Sequence, residues 1–275
     1  MSDRARKKTR LVALSSGKGG VGKTFLSLNL AAALATRGHS VWLLDGDMGL
    51  ANVHVLLGIQ PEFDISDALA GRCSLGQTLF DGPAGIKIIP GASGKRDMAE
   101  MDSLEMTRIV EAYGSVEPAA DYMLIDTGAG IGKHVTALAR LADTIVVVVR
   151  DEPASLADAY GLIKVMHHDF GSRSFEILVN DASTVGRGQQ VFERLRQVAL
   201  KFLALDLSLL GIVPHEPAVM TATRRRETLM TVAPQCPAAG AIMEIVSGIE
   251  GRKAEADRAR PALHLVVGTV EAAKR

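Results

Sequence analysis

Short apolar runs rich in β-branched residues recur along this 275-residue chain, and segments with helical spacing fill most of the gaps between them. The runs predict strands at residues 10–16, 40–45, 86–90, 122–126, 144–149, 175–180 and 208–213. Several runs are continuously apolar, which is typical of strands covered on both faces. Helices are predicted at residues 24–38 and 155–171, each ending at a glycine. The alternation predicts an α/β fold, a doubly wound and mostly parallel sheet with helices on both faces.

The chain is expected to divide into three parts. Residues 10–250 carry all the predicted strands and form one domain, preceded by a basic tail, residues 1–9. Residues 251–275 begin as a charged, alanine-rich tether and end in a segment with apolar residues on one helical face, Leu263, Val266, Val267 and Val270. That face predicts reversible membrane association. A strand, or a tail docked on the domain, is the alternative because valine is a mediocre helix former.

Composition narrows the classes of partner. Lys plus Arg and Asp plus Glu balance at 31 each, so no global field draws the chain towards nucleic acid or anionic lipid. Cys73 and Cys236 lie far apart and form no metal-ligand pattern, which indicates reduced thiols. The start of the chain lacks the apolar core of an export signal, and the run 144–149 is too short to span a bilayer. We expect a soluble, cytoplasmic protein.

A phosphate-binding loop lies directly between the first predicted strand and the first predicted helix. Gly17, Gly22, Lys23 and Thr24 fit the P-loop spacing, in which backbone N–H groups and the helix N-terminus surround phosphate. Lys23 is expected to reach the β- and γ-phosphates, and the Thr24 hydroxyl to bind Mg²⁺. The alternative is a glycine-rich turn without a ligand. The expected nucleotide-binding residues of this loop are Gly17, Gly19, Gly20, Val21, Gly22, Lys23, Thr24 and Phe25.

The loop carries a second lysine, Lys18, and the run KGGVGKT over residues 18–24 resembles the deviant P-loop of the MinD/ParA class of ATPases. The resemblance implies ATP and Mg²⁺ as cofactors and a homodimer when ATP is bound. It also implies that Lys18 crosses the dimer interface and stabilises charge on the partner's phosphates, a catalytic role shared with Lys23. The alternative for Lys18 is a solvated loop lysine.

Three acidic residues follow the next predicted strands. The resemblance implies that Asp47 orients the attacking water, that Asp45 lies near the metal, and that Asp126 holds a water bound to Mg²⁺. Glycines after Asp126 suit a mobile sensor of the γ-phosphate. The expected switch residues are Asn52, Gly128 and Gly130. Carboxylates at strand ends also serve as helix N-caps, which is a fair alternative for Asp45.

The resemblance also assigns the base pocket and a second interface residue. Asn180 ends a predicted strand and is expected to bind adenine, and backbone groups after the next strand close the pocket at Pro214, His215 and Glu216. The family often has arginine after this asparagine, whereas this chain has Asp181. Asp158 matches a family aspartate at the dimer interface, although an ordinary exposed helix carboxylate is the alternative.

Five stretches resemble one branch of the class, the flagellar-number regulators of the FleN/FlhG type, at residues 49–59, 66–75, 88–94, 126–132 and 151–164. This resemblance implies two partners, an AAA+ transcriptional activator of flagellar genes (FleQ-like) and the signal-recognition-type GTPase that sites the flagellum (FlhF-like). The start of the chain lacks the element that stimulates that GTPase in some members. The resemblance to the flagellar-number regulators also implies peripheral binding at the inner face of the cell membrane, at the pole.

Two other functions within the class stay open. A partition ATPase that binds DNA non-specifically is disfavoured by the neutral charge balance, although Arg224, Arg225 and Arg226 form a basic run. A division-site regulator of the MinD type would need a convincing membrane helix at the C-terminus. Neither cysteine lies near Asp126, which argues against the iron–sulfur branch.

Overall fold

The computed structural model describes residues 8–47, 52–91, 103–172 and 174–259. Its strands are β1 (Arg10–Ser16), β2 (Val41–Gly46), β3 (Phe80–Asp81), β4 (Lys87–Ile89), β5 (Tyr122–Ala129), β6 (Thr144–Val149), β7 (Glu176–Ala182) and β8 (Ser208–Pro214). Its α-helices are α1 (Lys23–Thr36), α2 (Val53–Leu57), α3 (Ile65–Leu69), α4 (Leu75–Thr78), α5 (Ser103–Tyr113), α6 (Lys133–Leu141), α7 (Pro153–Phe170), α8 (Val185–Leu203), α9 (Ala218–Arg225), α10 (Leu229–Val232) and α11 (Pro237–Ala259).

Within these residues, eight strands form one sheet in the order β3-β4-β2-β5-β1-β6-β7-β8. Every neighbouring pair is parallel except β3 and β4, which are antiparallel. The doubly wound, mostly parallel fold is therefore confirmed. All seven predicted strands are present, six of them within two residues of their expected bounds, and β5 continues three residues past its expected end to Ala129. The edge strand β3 was not predicted, because two residues are too few to show an alternating pattern.

Helices cover both faces of the sheet, which explains the continuously apolar strands. Ile145, Val147 and Val149 of β6 pack into the core beneath α5, α6, α7 and α8. Val146 and Val148 of the same strand pack into the opposite core, beneath α1, α9, α10 and α11. Each side chain of such a strand is buried whichever way it points, so no polar position interrupts the run.

The parallel pairing aligns the ends of strands that are distant in sequence. Asp45 on β2 is paired in register with Asp126 on β5, although 81 positions separate them (126 minus 45). The carboxyl ends of β1, β6, β7 and β8 reach the same edge. Ligands of open parallel sheets bind at this edge, and the residues predicted for the site lie there.

Helix α11 extends past the expected end of the domain. It runs to Ala259, and the guanidinium of Arg252 lies 2.8 Å from Oε2 of Glu176 at the start of β7. The expected tether therefore starts inside a helix, and residues 260–275, including the segment predicted to bind membrane, lie outside the described residues. No helix in the described part of the chain is long and apolar enough to cross a membrane.

Removing Arg252 tests whether this end of α11 is docked. Burial raises the pKa of Glu176, and Arg252 lowers it again. Without the arginine the ionised carboxylate has no compensating charge. We expect Arg252→Ala to lower the free energy of unfolding at pH 7 by about 1–3 kcal/mol.

The loss should have a definite pH dependence. A carboxyl with a raised folded-state pKa binds its proton more tightly when folded, so stability is lost as pH rises and regained as pH falls towards about 4.3. The control is the double variant Arg252→Ala/Glu176→Gln, which should recover most of the loss at pH 7. The free energy of unfolding is measured by chemical denaturation at pH 7 and at about pH 4.3. Equal losses for Arg252→Ala and for the double variant at both pH values would show that the ion pair does not hold the helix.

Candidate nucleotide-binding site

The loop between β1 and α1 has the backbone of an anion-binding site. Gly20 and Gly22 adopt φ values of +79° and +90°, the left-handed region that favours glycine. Helix α1 starts at Lys23 without a side-chain cap and without an acidic residue in its first turn. Its first N–H groups therefore have no side-chain acceptor, and the positive end of the helix dipole is not neutralised. Such an end binds phosphate.

Two glycines let the loop pack tightly between neighbouring elements. A Cβ added at Gly17 would lie 2.1 Å from the backbone carbonyl of Asp158 in α7. A Cβ added at Gly22 would lie 2.4 Å from Nδ2 of Asn180, which donates a hydrogen bond of 2.8 Å to the backbone oxygen of Val21. The loop is thus held between α7 and the end of β7.

Lys23 lies beneath the loop in a buried ion pair with Asp126. Its Nζ is 3.3 Å from Oδ1 of Asp126, and the two side chains are 9% and 1% exposed. The Ser27 hydroxyl donates to the same oxygen at 3.1 Å, and the Thr24 hydroxyl also hydrogen-bonds Asp126. Burial raises the pKa of Asp126, whereas Lys23 and the hydroxyl groups lower it. The expected phosphate lysine and the expected metal carboxylate are therefore in contact.

Asp45 stabilises the backbone at the start of α2. Its Oδ2 accepts hydrogen bonds from the amides of Asn52 at 2.8 Å and Val53 at 2.9 Å, and its Oδ1 accepts a longer one from Asp47. Burial, followed by repulsion from Asp126, raises the pKa of Asp45 to about 7. Asp45 is not the N-cap residue of α2, which is Asn52, but it accepts from the first amides of that helix, and a place near the metal stays a prediction.

The two expected switch segments lie side by side. A Cβ added at Gly128 would be 3.7 Å from the carboxylate of Asp47. Gly130 adopts a φ of +91°, and its amide donates to the backbone oxygen of Ser16 at 2.8 Å. The end of β5 therefore faces Asp47, and the segment that follows it is tied to the end of β1. Residues 48–51 lie outside the described residues.

Lys18 is paired within its own chain. Its Nζ lies 2.8 Å from Oε2 of Glu152, the residue that precedes α7, and both side chains are 41% exposed. The pKa of Glu152 is lowered by its hydrogen bond with Lys18. Asp158, the interface residue expected on α7, has an exposed side chain, and its backbone contacts Gly17. Sequence reasoning missed Glu152, although it shortly follows a strand end, where the other site residues lie.

A cavity of about 380 Å³ adjoins the loop at the ends of β6, β7 and β8. Its lining includes the expected base-pocket residues Asn180, Pro214, His215 and Glu216, together with Phe25 from α1. It also includes Arg150 and Asp181, neither of which was predicted to line the base pocket. A pocket of this size, apolar with a few polar groups, suits a nucleoside.

Comparison with known proteins decides the family. The family model of the CobQ/CobB/MinD/ParA nucleotide binding domain matches residues 12–229. The chain belongs to this family. The resemblance of the phosphate loop to the MinD/ParA class is thereby confirmed.

Relatives within the MinD/ParA family include flagellar regulators. The chain is 37% identical to the antiactivator FleN of Pseudomonas aeruginosa over 241 residues, covering 88% of this chain and 86% of that protein. It is 33% identical over 228 residues to the flagellum site-determining protein YlxH of Helicobacter pylori, covering 82% and 76%. The cell division protein MinD of Aquifex aeolicus has a similar structure, with a TM-score of 0.72, 28% identity and coverage of 88% and 98%.

The donor groups at the loop fit a magnesium ion of the kind that nucleotide-binding families use. Within the described ranges, no set of three or more His, Cys, Asp or Glu residues forms a complete metal cage. Mg²⁺ prefers oxygen ligands and is commonly bound by one or two carboxylates together with phosphates and waters. The Thr24 hydroxyl and the Asp126 carboxylate, already in contact, could supply the protein oxygens.

A matched pair of glycine variants tests the packing of the phosphate loop. A methyl group at Gly17 would collide with the backbone of α7, whereas the nearest atom to a Cβ at Gly19 is 4.0 Å away. We expect Gly17→Ala to lower the free energy of unfolding, measured without nucleotide, by about 1–3 kcal/mol. Gly19→Ala should change it by less than about 0.5 kcal/mol. Equal changes in the free energy of unfolding for the two variants would mean that the loop does not pack against α7.

Proposed function

We propose that this protein is an ATP-dependent molecular switch that dimerises when ATP is bound and hydrolyses it slowly to ADP and phosphate. We further propose that it regulates flagellar number or placement by binding an AAA+ activator of flagellar genes, the flagellar signal-recognition-type GTPase, or both. The proposal rests on the different burial and different ion-pair partners of the two lysines in the loop. Lys23 is buried against Asp126, whereas Lys18 is at the surface against Glu152.

The burial of Lys23 supports a role towards the nucleotide of its own subunit. Its ammonium group lies under the loop whose backbone N–H groups would surround the phosphates, and it would pair with the β- and γ-phosphate oxygens. The proposed magnesium ion, bound by Thr24 and Asp126, would neutralise charge that develops during phosphoryl transfer.

The exposure of Lys18 supports a role towards a second subunit. An ion pair as exposed as Lys18 and Glu152 contributes little to stability, because water screens both groups. Exchanging the carboxylate for a triphosphate on another subunit would therefore cost little and gain a stronger, less solvated interaction. In this proposal the partner's phosphate releases Glu152, which lies at the start of α7, the helix that also carries Asp158.

Asp47 is proposed to orient the attacking water. Its half-buried carboxylate faces Gly128, near the end of β5 and two residues after Asp126. A carboxylate can accept a hydrogen bond from water and align it for in-line attack. Reorganisation of both segments on hydrolysis would return the dimer to monomers.

The flagellar role rests on the relatives named flagellar regulators, and two other roles are alternatives. Arg224, Arg225 and Arg226 are exposed at the end of α9, as DNA binding by a partition ATPase would require. Salt-sensitive, ATP-dependent binding to non-specific duplex DNA would favour that function.

The second alternative is a division-site regulator of the MinD type. For both the flagellar role and the division-site role, we propose a cytoplasmic protein that binds membrane through residues 263–275.

Two substitutions should act in opposite directions on the dimer. We expect Asp47→Ala to bind ATP and remain dimeric in size-exclusion chromatography with ATP and Mg²⁺, because the dimer cannot be reset. Lys18→Gln should bind ATP but neither dimerise stably nor hydrolyse it, since the charge that reaches the second subunit is gone.

The matched control for the lysine is Lys87→Gln. Lys87 is 44% exposed and pairs with Asp81 at 2.6 Å, far along the sheet. It should behave as wild type. A monomeric Asp47→Ala protein, or a Lys18→Gln protein that hydrolyses ATP normally, would contradict the proposed switch.

The flagellar role is tested in the source organism. Deleting the gene should change the number or position of flagella counted by electron microscopy, because the switch would no longer control its partners. Complementation with wild type should restore the count, and complementation with Lys18→Gln should not. Unchanged flagella together with altered plasmid or chromosome segregation would instead favour the partition function.

A further inference from the structure

A chain of ion pairs crosses the mouth of the nucleoside cavity. The guanidinium of Arg150, after β6, pairs with the carboxylate of Asp181 on β7, and Asp181 Oδ1 lies 2.6 Å from Nδ1 of His215, after β8. Arg150 also approaches Glu152 Oε1 at 3.6 Å, and Glu152 holds Lys18. Three adjacent strand ends thus contribute charged or polar side chains to one rim.

The backbone at Asp181 fixes the direction of this network. Asp181 has a φ of +57°, a left-handed conformation that aspartate tolerates better than most residues. The pairing of β7 with β8 shifts register between Val179 and Ala182, on either side of it. The bulge allows the carboxylate of Asp181 to reach both neighbouring strand ends.

The side chain of Arg150 makes its described contacts at the rim of the cavity. Its described ion pairs are with Asp181 and Glu152, and its side chain is 34% exposed and lines the cavity with Asn180 and Phe25. The phosphate end of the site is served by Lys23 instead. A guanidinium held at the nucleoside end presents a flat cationic face, which packs favourably on aromatic rings such as purines.

We propose that Arg150 is a nucleoside-recognition residue whose guanidinium packs on the base of a bound purine nucleotide, and that Asp181 positions it. The inference rests on the proposed nucleotide function and adds a specificity-determining contact to it. One carboxylate oxygen of Asp181 accepts from Arg150 and holds the guanidinium in place, and the other contacts His215.

The test compares ligands that do and do not contain a nucleoside. ATP, ADP and inorganic tripolyphosphate are titrated into the purified full-length chain by calorimetry. We expect Arg150→Ala to bind ATP and ADP about 5- to 30-fold more weakly and tripolyphosphate as wild type does. Arg150→Lys should be nearly as weak, because an ammonium group keeps the charge but lacks the flat face. Asp181→Asn should weaken the binding of ATP and ADP to a smaller extent and leave the binding of tripolyphosphate unchanged.

The matched control is Arg196→Ala. Arg196 is 35% exposed and pairs with Asp206 at 2.6 Å away from the cavity, so its loss should leave all three affinities unchanged. Equal weakening of tripolyphosphate, or ATP affinity within twofold of wild type in Arg150→Ala, would overturn the inference. Should Arg150→Ala fail to fold, Arg150→Lys and Asp181→Asn decide by the same criteria. A wild-type chain that binds tripolyphosphate but no ATP would overturn the proposed function as well.

Discussion

The structure depends on charges buried together at the carboxyl edge of a parallel sheet. Asp45 and Asp126 are paired in register on adjacent strands and are almost inaccessible to water, and Lys23 is the cation in contact with Asp126. Two neighbouring carboxylates repel each other at low dielectric, so the edge is stable only with compensation. Asp126 obtains it from a lysine and hydroxyl groups, and Asp45 from backbone amides. Backbone amides, cationic side chains or metal ions are the partners that such an edge favours.

The same packing joins parts of the site that have different tasks. Gly17 brings the phosphate loop against the backbone of α7, and Gly22 brings it against Asn180 at the base pocket. A shift of the loop would therefore be felt at both places, because tightly packed backbones cannot move independently. Lys18 and Glu152 lie where the loop meets the start of α7. In the proposed switch, this contact is the element that a second subunit would alter.

Much of the fold could be predicted because local patterns have a fixed period. The seven predicted strands and the phosphate loop follow from apolar runs and glycine spacing that need no knowledge of distant residues. Asp126 was expected to end its strand but lies inside β5, which continues to Ala129. The strand β3 could not be found, because two residues carry no period. Arg150 was also missed, since no motif contains it, and its pairing with Asp181 arises from the adjacency of β6 and β7.

The sequence by itself determined the class of fold and the family, and it predicts which residues bind phosphate. Tertiary structure decided their partners: that Lys23 contacts Asp126, that Lys18 contacts Glu152, and that Asp45 holds the start of α2. The reason is that backbone hydrogen bonding and side-chain period are set by neighbours in sequence, whereas ion pairs depend on strand order. That order places side chains more than a hundred positions apart, such as Lys18 and Glu152, within hydrogen-bonding distance.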